Sequence, residues 1–243
     1  MLRILDARTG ELIDAARARR GLVRVHARVD AFDATALRVL VCADVLVRAL
    51  EVGSNPVWST LTSAEDPADA DRLRESAAGL GIRPFEEHHD TGTGPAATRT
   101  VEVCAAGGTE TDAVRFEVAP VDTDGGPVPA PADPTVLRLA LLAPPRDRPL
   151  RLDAAALADA EGTLERRRAA VAGWATRPSK AVPDDVRLRL RTAWEDDLDV
   201  PAVLDVLGWI ETSDLAEGAR FESYAYADRL LGLELTREIG SAW

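Results

Sequence analysis

Residues 22–29 alternate Val23, Val25, Ala27 and Val29 with Arg24, His26 and Arg28, the period-2 pattern of a strand with one dry face. From Thr35 the apolar positions Leu37, Leu40, Val41, Val45, Leu46, Ala49 and Leu50 recur at helical spacing, with Gly53 as a stop and Val57-Trp58 opening an extended piece. Asp66-Pro67 is an N-cap followed by proline in the first turn, and the helix it opens ends at Gly79 or Gly81. Thr100–Cys104 and Ala113–Val121 alternate as strands, and a short strand at Leu2–Leu5 is expected to pair near the 22–29 strand.

Two stretches, 90–98 and 122–134, are rich in Gly, Pro, Asp and Thr, and the second is the best domain boundary. Beyond it the texture is helical: Thr135–Ala143, then Asp153–Ala175 with Leu157, Leu164 and Val171 seven apart, then segments near 184–195, 200–211 and 215–232. The predicted fold class is therefore α/β followed by α. Residues 1–134 form a small, largely parallel sheet with helices on its faces and an antiparallel insertion near 100–121, and residues 135–243 form a helical bundle.

Composition narrows the classes of function. The 243 residues are 46% hydrophobic and 29% charged, ordinary for a globular protein, and the long apolar stretch from Leu37 to Val52 is interrupted by Arg38, Asp44 and Arg48. No segment is expected to span a membrane or to act as a signal peptide, so the cytoplasm is the default location. Forty-one acids against 29 bases give a net charge of −12, which disfavours a polyanionic partner such as tRNA. Cys42 and Cys104, far apart in small or apolar surroundings, point to buried free thiols, not to a disulfide framework or zinc site.

Three stretches resemble the cysteinyl-tRNA synthetase family. Ala36–Arg48 is similar to the family's helix that begins inside its HIGH motif and runs through an Arg and an apolar stretch to Asp-Val-Leu, here Asp44-Val45-Leu46. Val136–Leu150 looks like the passage from catalytic domain to helical bundle. Trp194–Leu204, with Asp196-Asp197-Leu198-Asp199-Val200-Pro201, resembles the family's Asp-Asp-Leu-Asp-Thr-Pro, followed by Leu230-Leu231-Gly232-Leu233. The mycothiol-pathway ligase that joins cysteine to an amino-sugar inositol shares the pattern, and Gly208-Trp209 fits that branch about as well. The resemblance implies a reduced class I synthetase domain, Rossmann-like, in a chain far shorter than a full member. The missing length falls between roughly residues 60 and 135, where the family keeps its zinc site, its insertion and its second signature.

The resemblance also implies ATP and zinc, and the residues to hold them are missing. The HIGH stretch corresponds to Asp33-Ala34-Thr35-Ala36, with Asp30 just before, and carboxylates at a helix start cap amides and repel a triphosphate. Lys180, the sole lysine, cannot supply the pair of a KMSKS loop, and the strand position of the first zinc ligand carries Arg24 or Arg28. The candidate ligand cleft is thus Arg24, Arg28, Asp30, Asp33, Thr35 and Arg38, with no catalytic residue, metal ligand or cofactor assigned.

Other chemistry-bearing residues have plainer readings. His88-His89 between carboxylates reads as an exposed loop, Gly107-Gly108 and Gly125-Gly126 as turns, and Asp196, Asp197 and Asp199 as a helix start. The run Glu165-Arg166-Arg167-Arg168 reads as a solvated helix face. The leading expectation is a non-catalytic synthetase-like protein that binds a small molecule or a protein partner. One alternative is an ATP-dependent cysteine ligase with a rebuilt site using Arg38, Arg24 or Arg28; another is an accessory subunit of a complete synthetase or ligase.

Overall fold

The computed structural model describes residues 1–16, 21–63, 65–87, 99–107 and 112–240. Its centre is helix α1 (Ala34–Val52), whose sequence is apolar on every side and which is buried on every side. One side packs on a five-stranded sheet formed by β3 (Val23–Arg28), β4 (Val57–Thr62), β5 (Glu86–Glu87), β6 (Arg99–Ala105) and β7 (Val114–Val118). The strands lie in the order β5-β4-β3-β6-β7 and every pairing is parallel. The chain therefore runs outward from β3 through α1, β4, helix α2 (Pro67–Gly79) and β5, then returns to β6 on the other flank of β3. That reversal between β3 and β6 makes the sheet Rossmann-like and defines a topological switch point.

The strand pairings differ from the expected ones in two places. β6 and β7 do not form an antiparallel insertion; both run parallel to β3, with Val101 opposite Val114, although only residues 106–113 lie between them. Alternation in sequence carries no strand direction, so the pattern was right and the orientation was not. The first strand, β1 (Arg3–Asp6), pairs antiparallel with β2 (Glu11–Asp14) and not with β3. Gly10, at φ 72°, supplies the left-handed backbone that lets this hairpin close. β1 then reaches the β7 edge of the sheet through Ala7 N–H to Arg115 O (2.9 Å) and Arg115 N–H to the Asp6 carboxylate (3.1 Å).

The other sides of α1 meet α2, α3 (Pro134–Leu142) and α7 (Glu217–Leu231). Helices α4 (Ala154–Trp174), α5 (Asp184–Glu195) and α6 (Val200–Thr212) complete the helical half, giving seven helices among the described residues. None of these is long and apolar enough to cross a membrane. The two halves are stitched across the 122–134 segment by a short parallel pairing of β8 (Val121–Asp122) with β9 (Leu150–Arg151), and one hydrophobic core runs through both.

Two charged positions of α1, Arg38 and Asp44, are buried with it and must find partners inside. Asp44, 1% exposed, accepts from Arg138 Nη2 (2.6 Å) and Arg48 Nε (2.7 Å), while Arg138 also donates to the carbonyls of Leu231 (2.7 Å) and Leu80 (3.1 Å). One carboxylate thus joins α1 to α3, to the end of α2 and to the end of α7. The run 165–168 is likewise only partly solvated. Arg166 is exposed, but Arg168 is buried against Asp133 (2.5 Å), Thr135 Oγ1 (2.5 Å) and the carbonyls of Leu233 and Glu234, and Arg167 is buried against Glu211 (3.3 Å) and Leu204 O (3.0 Å). The solvated-face reading fails for these two because charge in a sequence does not reveal a buried partner.

Close backbone approach fixes the start of α7. A methyl at Gly218 would overlap the carbonyl oxygen of Pro178. Gly218→Ala is expected to destabilise the protein by about 1–3 kcal/mol, as overpacking against rigid backbone does. Urea unfolding of the variant beside Gly208→Ala, whose added methyl meets nothing within 4 Å, checks this.

Candidate functional site

In-register parallel pairing turns the alternation of each strand into a continuous surface. Val23, Val25 and Ala27 of β3 are buried on the side that holds α1; Arg24, His26 and Arg28 face the other way. Arg24 lies opposite Trp58 and Thr100, His26 opposite Thr60 and Glu102, Arg28 opposite Thr62, and Arg115 of β7 opposite Glu102. A parallel sheet is normally apolar on both faces; here one face is a polar network.

Within it, His26 Nδ1 sits 2.9 Å from Thr60 Oγ1 and its Nε2 3.3 Å from Thr62 Oγ1. Arg24 donates to Thr60 Oγ1 (3.2 Å) and lies 5.0 Å from the centroid of the Trp58 ring, whose Nε1 donates to Glu86 (2.8 Å). Arg28 Nε is 3.6 Å from Glu102 Oε1, an attraction between charges but too long for a hydrogen bond. Arg115 Nη2 is 3.2 Å from Glu117 Oε1 without hydrogen-bond alignment, so Arg28 Nε and Arg115 Nε and Nη2 are buried donors with no acceptor among the described residues. Burial pushes the Cys104 thiol above its ordinary pKa, with Arg115 pulling the other way.

The start of α1 is organised differently. Asp33 adopts extended backbone and its carboxylate accepts from Ala36 N–H (2.6 Å), while Thr35 Oγ1 accepts from Val121 N–H (3.0 Å) and so anchors β8. Asp30 is exposed. Phe32, at the same turn, carries Arg72 over its ring at 4.2 Å.

Arg38 does not belong to this opening. It is fully buried and donates to the carbonyls of Ala119 (3.0 Å), Leu141 (3.3 Å), Pro144 (3.4 Å), Pro145 (2.8 Å) and Arg148 (2.8 Å). Pro144 and Pro145 have no N–H, so the turn is rich in acceptors, and a guanidinium answers several of them at once. Burial draws the Arg38 pKa below its usual value, while the charges of Cys42 and Asp147 act in the opposite sense.

Of the six cleft residues inferred from sequence, Arg24 and Arg28 share the polar sheet face, Asp30 and Asp33 are exposed at the turn, Thr35 is engaged in the β8 contact and Arg38 lies inside. The partners on β4, β6 and β7 that complete the polar face were missed. Their signal was present in the polar alternation of Thr100, Glu102 and Cys104 and of Arg115 and Glu117.

The acidic cluster near residue 197 is structural. Asp197, at φ 55°, accepts from Leu5 N–H (2.7 Å) and Arg146 Nη2 (2.5 Å), and Asp199 caps α6 at Ala202 N–H (3.0 Å). Cys42 is buried, and burial raises its pKa, which disfavours the thiolate. Gly125 and Gly126 form a turn closed by Gly126 N–H to Thr123 O (2.9 Å). Gly108 and the pair His88-His89 lie outside the described residues. Among the described residues no group of three or more His, Cys, Asp or Glu side chains is arranged to hold a metal ion.

Arg38→Met is expected to destabilise the protein by about 3–5 kcal/mol, because it orphans a cluster of buried carbonyls, whereas Asp33→Ala, which removes one cap bond, costs about 1 kcal/mol. Chemical denaturation of the two variants side by side measures the contrast. Compared with known proteins, the chain matches no protein-family model and no curated protein.

Proposed function

We propose that this chain is a non-catalytic relative of the cysteinyl-tRNA synthetase-like proteins, working by binding a small molecule or a protein partner and not by forming an adenylate. One observation carries the reading: at the start of α1, where such an enzyme would meet ATP, the side chains hold the fold together. Asp33 caps the helix, Thr35 holds β8, and Arg38 is buried under the 144–148 turn. Further support comes from the stretches that carry the resemblance. Their polar residues, Asp44, Arg138, Asp197 and Asp199, make internal bonds that join elements or cap a helix. A net charge of −12 favours a protein or small-metabolite partner over nucleic acid.

The second reading, a ligase with a rebuilt site, is favoured by the buried donors of Arg28 and Arg115 that lack acceptors among the described residues, since an anion at the sheet's polar face would satisfy them. Cysteine-dependent exchange of pyrophosphate into ATP separates the two. The non-catalytic reading expects no exchange above a protein-free control; exchange that requires cysteine and is lost in Arg28→Gln supports the ligase instead.

A further inference from the structure

A separate opening lies where the last turn of α1 meets α5 and α7. It encloses about 440 Å³, within the size range of small-molecule sites. Leu50 and Val52 of α1, with Trp194 of α5 and Tyr226 of α7, give it apolar walls, and the two aromatic rings lie 5.5 Å apart at 52°. Arg187 and Arg191, one turn apart on α5, line the same opening and so present their guanidinium groups on one face of the helix.

The charges there do not cancel. The single carboxylate in the lining, Glu195, is engaged by Arg191 (2.9 Å) and by the Met1 amino group (2.9 Å). Arg187 makes no ion pair or side-chain hydrogen bond among the described residues; its guanidinium lies 5.6 Å from the centroid of the Tyr226 ring. The hydroxyls of Ser54 and Tyr226 likewise make no hydrogen bond among the described residues. The end of α1 is capped, with Gly53, Ser54 and Asn55 N–H bonded to Ala49, Glu51 and Leu50 O, and its negative pole leaves an anion to be held from the α5 side of the opening. Ser54 holds φ 63° as the left-handed residue that caps α1, with Asn55 N–H to Leu50 O and Ser54 N–H to Glu51 O closing the turn.

We infer that this cavity binds a small aromatic carboxylate, its ring against Tyr226 and the last turn of α1, its carboxylate on Arg187. One unpaired guanidinium matches one negative charge, and Glu195 disfavours a multiply charged phosphate. An aromatic body suits the mixed wall, in which a ring can pack against aromatic and aliphatic side chains together. This inference is independent of the reading given to the start of α1.

Isothermal titration of the full chain with 1-naphthoate and with its neutral counterpart 1-naphthamide tests it. Expected are saturable binding of naphthoate at one site and binding of the amide weaker by about tenfold or more, the share of affinity that a charge-assisted Arg–carboxylate pair supplies. Arg187→Gln should weaken naphthoate by a similar factor. Arg189→Gln, on the same helix but stacked over Trp209 at 4.6 Å, should leave it unchanged. Both arginines are exposed, so near-ultraviolet circular dichroism should report the same folded state for both variants. Equal affinity for the acid and the amide, no saturable binding, or equal losses in the two variants would overturn the assignment.

Discussion

A helix buried on every side cannot leave a charge unanswered, and the architecture follows from how α1 meets that constraint. Asp44 lies at its middle and holds Arg138 at 2.6 Å and Arg48 at 2.7 Å, with Arg83 at 3.7 Å. Removing one partner from such a cluster costs about 3–5 kcal/mol, a large part of the stability of a typical domain. Through the other arms of Arg138 the same cluster fixes the carbonyls that end α2 and α7. Gly232, at φ 63°, leaves room beside it, since a methyl there would press on the guanidinium groups of Arg138 and Arg48. The meeting of the sheet half with the helical half thus depends on charge pairing as well as on apolar burial.

The remaining staples use the same chemistry. Arg38 closes the 144–148 turn, Arg168 joins α4 to the start of α3 and to the residues after α7, and Arg146 joins Glu117 O (2.7 Å) to Asp197 while stacking 3.9 Å over Phe116. A planar fork of five donors can serve several carbonyls or a carboxylate and a carbonyl together, which a single ammonium does less well. In a chain with one lysine, arginine is the architectural cation. Among the described residues the match is complete at Arg38, whereas Arg146 of the staples and Arg28 and Arg115 of the polar sheet face each keep a buried donor without an acceptor.

Much of this fold was legible because helical period and cap chemistry are local. The apolar spacing from Leu37 to Leu50 and the caps at Asp66 and Asp199 placed α1, α2 and α6, and Asp66 and Asp199 accept the expected amide bonds at Ala68 and Ala202. What could not be read was relational. Alternation in Thr100–Cys104 and Ala113–Val121 predicted strands but not their shared direction, and Leu2–Leu5 paired with its neighbour Glu11–Asp14, a local hairpin, in place of the distant β3. Arg24 and Arg28 were placed on one face by period 2, but the Glu102 that meets Arg28 comes from 74 residues further along, and no local pattern links them. Arg38 was assigned to the cleft from its place early in the helix, and a turn of 100° per residue carried it inward instead.

Arg38, the cation at the start of α1, is held by interior carbonyls. Side-chain nitrogen–proton NMR of the Arg38 Nε–H group tests it directly. A guanidinium enclosed by those carbonyls gives a signal that exchanges slowly with solvent and does not shift when magnesium and ATP are added. Fast exchange of that proton, or a shift on adding the nucleotide, would contradict it.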